Sequence, residues 1–60
     1  IAAVQYDGAG QHLDIELTNG RVYRYIDVPR EVYEAFMAAE SKGRFYNDHI
    51  RDAYLYEQLH

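Results

Sequence analysis

The 60-residue sequence contains no cysteine and no tryptophan, a single proline, and one serine, one threonine and one lysine. Without cysteine there is no disulfide framework, no thiolate zinc site and no cysteine nucleophile. A chain this short and unstapled relies on a packed core, a partner or a host protein for its stability. No apolar run approaches the ~20 residues needed to cross a bilayer. The first residues, Ile1-Ala2-Ala3-Val4, lack a basic flank and are too short for a secretory signal. The initiator Met is also absent, which reads as a chain processed or cut from something longer. The expected compartment is the cytoplasm, with no membrane partner. Residues 1–20 hold Asp7, Asp14 and Glu16 but no Lys or Arg, and all six basic residues fall between Arg21 and Arg51.

What is present describes one domain, residues 1–60, with no internal repeat and no low-complexity linker. At this size folding buries only about 60% of the surface the unfolded chain exposes, so stability is thin. The apolar share is 48% and the charged share 27%, mixed in sign, as in a chain that folds. The net charge of −4 opposes a phosphate backbone, although the uneven placement leaves room for a local basic surface.

Along the chain, Ile1 to Tyr6 reads as a strand, followed by Asp7-Gly8-Ala9-Gly10, where glycine supplies the positive φ of a turn. Leu13, Ile15 and Leu17 alternate with Asp14, Glu16 and Thr18 as a half-buried second strand. Asn19-Gly20 signals a hairpin into Val22-Tyr23-Arg24-Tyr25-Ile26. A two-residue loop would set Arg24 opposite Ile15, a charge on the apolar face. A three-residue loop with Gly20 left-handed pairs Leu17 with Arg21, Ile15 with Tyr23, Asp14 with Arg24 and Leu13 with Tyr25. The second register is predicted, with both tyrosine rings turned inward beneath the first helix.

Val28-Pro29 opens that helix with Pro at its first position. Glu31 and Glu34 sit in the early turns and Val32, Ala35, Phe36 and Ala39 form the apolar stripe, broadened by Tyr33 and Met37. Ser41-Lys42-Gly43 breaks the helix, and Ser41 caps a second, short one over Arg44–Arg51. The tail Tyr54–Leu59 reads either as an extended cover or as a last helical turn. The expected fold is α+β: a three-stranded antiparallel meander followed by two helices packed on one face of the sheet.

The blocks Val22-Tyr23-Arg24-Tyr25, Val28-Pro29, Val32-Tyr33-Glu34-Ala35, Ser41-Lys42-Gly43-Arg44 and Ile50-Arg51-Asp52 occur in the order of the KTSC domain, which the whole chain resembles. Tyr23 and Tyr25 match the family's central Tyr-x-Tyr, while Leu55 stands between Tyr54 and Tyr56 where a Pro is common. The family is named for a module at the C-terminus of some lysyl-tRNA synthetases and also occurs as small free-standing proteins. The resemblance implies a domain of unknown function, with RNA binding suggested by that attachment alone.

The inventory points away from catalysis. Thr18 belongs to a turn and Ser41 to a cap, while Asp48 and His49, adjacent on a helix, point to different sides and spoil a triad with Ser41. His12, His49 and His60 are scattered, without metal-ligand spacing. The Asp7–Gly10 turn leads to a strand, so it is no phosphate loop. No cofactor is expected. Two binding readings remain. In the first, Lys42 and Arg44 flank Gly43 at a helix start and, with Tyr46, Asn47 and Arg51, form a weak RNA-binding surface, Tyr46 being exposed for stacking. In the second, Val22 and Ile26 on the outer sheet face and Tyr54 and Tyr56 of the tail bind a protein partner. Oligomeric state is not legible from these residues.

Overall fold

The computed structural model describes all 60 residues. Strands β1 (Ala3–Asp7), β2 (His12–Glu16) and β3 (Val22–Tyr25) form an antiparallel meander, followed by α1 (Arg30–Ala38), a short helix α2 (Lys42–Phe45), a π-helical turn (Tyr46–Ile50) and a strand β4 (Tyr56–Gln58). The sheet order is β1-β2-β3-β4, so the sheet has four strands, one more than the alternation predicts. The tail is extended, as the first of its two readings had it. It hydrogen-bonds along the free edge of β3, Tyr56 opposite Tyr25 and Gln58 opposite Tyr23.

The hairpin register follows the charge argument. Leu13 lies opposite Tyr25, Asp14 opposite Arg24 and Ile15 opposite Tyr23. The Leu17 N–H donates to the Arg21 carbonyl at 2.8 Å, and Gly20 takes the left-handed φ of 89° that closes the three-residue loop. On the outer face Arg24 grips Asp14 through two bonds of 2.9 and 3.1 Å. The hydrogen bonds first, and the Asp14 charge second, hold the Arg24 guanidinium above its ordinary pKa.

The first turn departs from expectation. Asp7 stabilises it by accepting from the Ala9 N–H at 3.1 Å, but the positive φ falls on Gln11 (55°), not on Gly8 or Gly10. Gly8 instead leaves room for the Arg30 guanidinium, which a Cβ there would strike. The Gln11 carbonyl accepts from the Val28 N–H at 2.9 Å, while the Tyr6 hydroxyl donates to the Val28 carbonyl at 2.7 Å. Together they pin the β3–α1 connection onto the first hairpin.

Pro29 is the N-cap of α1, one position before the predicted place, since its ψ of 152° is not yet helical. Phe36 is the fully buried residue of α1, with Val32 and Tyr33 packed against the core. Ala35 and Met37 face out, so the apolar stripe is narrower than predicted. The helix ends at Ala38, and Ser41 caps α2 by accepting from the Arg44 N–H at 3.2 Å. Gly43 therefore sits inside α2 and is not the break. The break is the extended backbone at Ala39 and Ser41. The core is one cluster, Leu13, Ile15, Tyr25, Val28, Phe36 and Ile50, all on or facing the inner side of the sheet. No helix is long and apolar enough to cross a membrane.

Candidate functional site

Neither helical layer closes the β3–β4 end of the inner sheet face. Alternation along β3 sends Tyr23 and Tyr25 to that face, and the β3–β4 register puts Tyr56 beside them. The Tyr56 ring meets Tyr23 edge-on, with centroids 5.4 Å apart, and lies tilted 5.6 Å from Tyr25. Across the gap stands Tyr46, whose ring meets Tyr25 edge-on at 5.8 Å and whose hydroxyl hydrogen-bonds the Tyr25 hydroxyl. Tyr25 thus packs against the second helical segment, a contact the expectation of tyrosines beneath the first helix does not contain. Between these rings opens a cleft of about 380 Å³, lined by the four tyrosines with Leu17, Arg21, Arg51 and Asp52.

The π turn explains how Tyr46 and Arg51 reach the same cleft. In an α-helix of 3.6 residues per turn, positions five apart are rotated by roughly 140°. The turn widens instead, the Arg51 N–H donating to the Tyr46 carbonyl five residues back at 2.9 Å. That wider turn swings Arg51 round towards the side of Tyr46. The Arg51 guanidinium donates to the Asn47 side-chain oxygen at 3.1 Å, which steadies it at the rim.

The cleft has a definite chemistry. Burial first, and the hydroxyl bond with Tyr46 second, push the Tyr25 phenol well above the ordinary tyrosine pKa, so it stays protonated and neutral at any physiological pH. Two arginines and one aspartate around it leave one net positive charge. The lining offers ring faces, hydroxyls, two guanidinium groups and one carboxylate.

The residues read as a nucleic-acid surface are divided by this geometry. Tyr46 and Arg51 line the cleft, Asn47 supports Arg51, and Lys42 lies one turn before Tyr46. Arg44 opens onto a different hollow, about 250 Å³, which it shares with Glu40, Ser41, Asp48 and His49. Two carboxylates there offset its charge. Tyr46 is half-buried and bonded to Tyr25, not the free stacking ring expected of it.

The residues read as a protein surface are divided too. Val22 and Ile26 are half-buried on the outer face, Tyr54 is packed against the core, and Tyr56, 56% exposed, stands on the inner face at the edge. Leu55 and Leu59 join Val22 and Ile26 through their pairing with β3, the Ile26 N–H donating to the Leu55 carbonyl and the Leu59 N–H to the Val22 carbonyl, each at 2.8 Å.

Arg21, Leu17 and Asp52 were not among the sequence candidates. The signal for Arg21 lay in the hairpin register, because pairing it with Leu17 sets it on the same face as Tyr23 and Tyr25. His12, His49 and His60 lie on three separate segments, and no group of three or more His, Asp or Glu side chains is close enough to hold a metal ion.

Comparison with known proteins places the chain. The profile of the KTSC domain matches residues 1–54. A protein of Tsukamurella paurometabola is 45% identical over 51 residues, covering 85% of this chain and 76% of that protein. A lysine–tRNA ligase of Nostoc is 37% identical over 59 residues, covering 98% of this chain but only 10% of the ligase. The crystal structure of a KTSC domain protein from Yersinia pestis superposes with a TM-score of 0.88 at 33% identity, covering 95% of this chain and 80% of the other.

Proposed function

The chain belongs to the KTSC domain family, and from that premise we propose that it is a non-catalytic, cytoplasmic binding module whose ligand is single-stranded RNA, held weakly. The observation that carries this reading is the tyrosine-walled cleft with Arg21 and Arg51 at its edge. Stacking rings flanked by guanidinium groups suit unpaired nucleotides, which offer a π-face and a phosphate together. The Nostoc relative is by name a ligase acting on tRNA, which supports an RNA ligand for a domain of the same family. The overall charge of −4 works against any phosphate and accounts for weak binding.

The test is an NMR titration of the isotope-labelled domain with a short single-stranded RNA at low and high salt. Shifts should appear at Arg21, Tyr23, Tyr46, Arg51 and Tyr56 and fade as salt is added. Two phosphate contacts give a slope of log K against log salt of about −1.4. A flat spectrum at low salt removes the reading.

A second reading has its own observation: on the outer face the apolar neighbours Ile26 and Leu55, and Val22 and Leu59, flank the Arg24–Glu57 pair, with Leu55 82% exposed. A protein partner docked there would bind with little salt dependence and would be lost in Leu55→Asp, while the cleft resonances stayed unmoved.

A further inference from the structure

We propose that the cleft is a nucleobase subsite: it takes the base of one unpaired RNA nucleotide, edge towards the Tyr25–Tyr46 hydroxyl pair and face against Tyr56, with the flanking phosphates at Arg21 and Arg51. The inference rests on the RNA reading above and deepens it by fixing which part of the nucleotide enters.

The hydroxyl pair is the first support. Two phenols bring two O–H donors and four acceptor lone pairs. Their mutual bond uses one of each, and neither hydroxyl has a further partner in the protein. One donor and several acceptor sites are left for whatever fills the cleft. Burial holds the Tyr25 phenol in its neutral form, so the pair offers a mixed donor–acceptor edge. A nucleobase presents the complementary mixed edge through its ring N–H, amino and carbonyl groups. A phosphate, which only accepts, would use a single donor there and leave the lone pairs facing its own charge.

Size and wall chemistry agree. A space of about 380 Å³ lies at the small end of the ~300–1,000 Å³ typical of small-molecule sites, room for one planar ring system and its sugar. Tyr56 is the ring with the most free surface of the four, and it sits on β4, at the sheet edge, where a strand of RNA can pass without meeting α1. Arg21 and Arg51 both line the cleft, so the sugar–phosphate chain on either side of the base has a cation to meet. Asp52, the single carboxylate of the lining, disfavours a second phosphate inside and limits the subsite to one nucleotide.

The experiment measures, on the 60-residue chain at low salt, the affinity for a short single-stranded RNA and for the same oligonucleotide with its bases removed. The intact RNA should bind on the order of tenfold more tightly, the worth of one stacked base. Tyr56→Ala should erase that difference, and Tyr46→Phe, which keeps the ring and removes the hydroxyl, should reduce it several-fold. Arg44→Ala should leave it unchanged. Equal binding of the two oligonucleotides overturns the subsite while the RNA reading stands. So would an advantage that survives in Tyr56→Ala. Absence of any RNA binding overturns the RNA reading, and the subsite with it.

Discussion

One face of one sheet carries two unlike halves. Under α1, Leu13, Ile15, Val28 and Phe36, joined by Ile50, are fully buried. Towards β4, Tyr23, Tyr46 and Tyr56 crowd round a cleft that stays open. Branched aliphatic side chains have no polar atom to satisfy and close up on one another. A tyrosine carries a hydrophobic body with a hydroxyl that must find a partner, so it settles at the boundary between packing and water. The domain's stability therefore rests on the wholly apolar half, whereas the tyrosine half, beyond the border that Tyr25 seals, is left open to solvent.

Substitutions can break or sharpen that division, beginning with the largest effect. Phe36→Ala empties the centre of the wholly apolar half and should cost about 3–5 kcal/mol, most of the stability of a domain this small. Urea unfolding followed by circular dichroism would check it, and a loss below about 1 kcal/mol would erase the distinction. Next in size is an alkaline effect at the border. Because the folded state raises the Tyr25 pKa, it holds a proton that the unfolded state releases above pH ~10. Below that pH this residue adds no pH dependence; above it, stability should fall by up to about 1.4 kcal/mol per pH unit until the raised folded value is reached. Tyr25→Phe should flatten that part of the profile, and an unchanged slope would show that the burial does not act as described.

Tyr56→Ala should cost about 1 kcal/mol, the low end for two aromatic contacts of a ring more than half exposed, and leave the fold intact by two-dimensional NMR. A loss rivalling that of Phe36→Ala would make the tyrosine half part of the structural core. Smallest of all, Lys42→Ala with Arg44→Ala should shift stability by no more than about 0.5 kcal/mol in thermal melts, since neither side chain packs in either half.

Much of this was legible in the residues themselves. The Thr18-Asn19-Gly20 loop and the cost of setting Arg24 against Ile15 determine the register, and with it the inward tyrosines and the Asp14–Arg24 pair. Ser41 announces its helix because its hydroxyl answers a local need. β4 is harder to foresee: Tyr54–Leu59 alternates Tyr and Gln with Leu and Glu, so neither set is plainly apolar. Its partner strand also lies some thirty residues away, beyond any local rule. The π turn leaves no mark either, because Phe45/His49 and Tyr46/Ile50 satisfy α-helical spacing equally well. The cleft was invisible for the same reason, since it exists only where β4 and the π turn meet.

That dependence gives the three-residue strand β4 a role in populations as well as in architecture. β4 is paired on one side only, and such edge segments detach at lower free energy than a core strand. When it lifts, Tyr56 leaves and the cleft loses a wall, while the Leu13–Phe36 core remains intact. The apparent affinity for anything bound in the cleft is thus the intrinsic affinity scaled by the fraction of molecules with β4 in place. Binding in turn draws the strand down, so that occupancy of the cleft should register as protection of the Glu57 and Leu59 amides from hydrogen exchange.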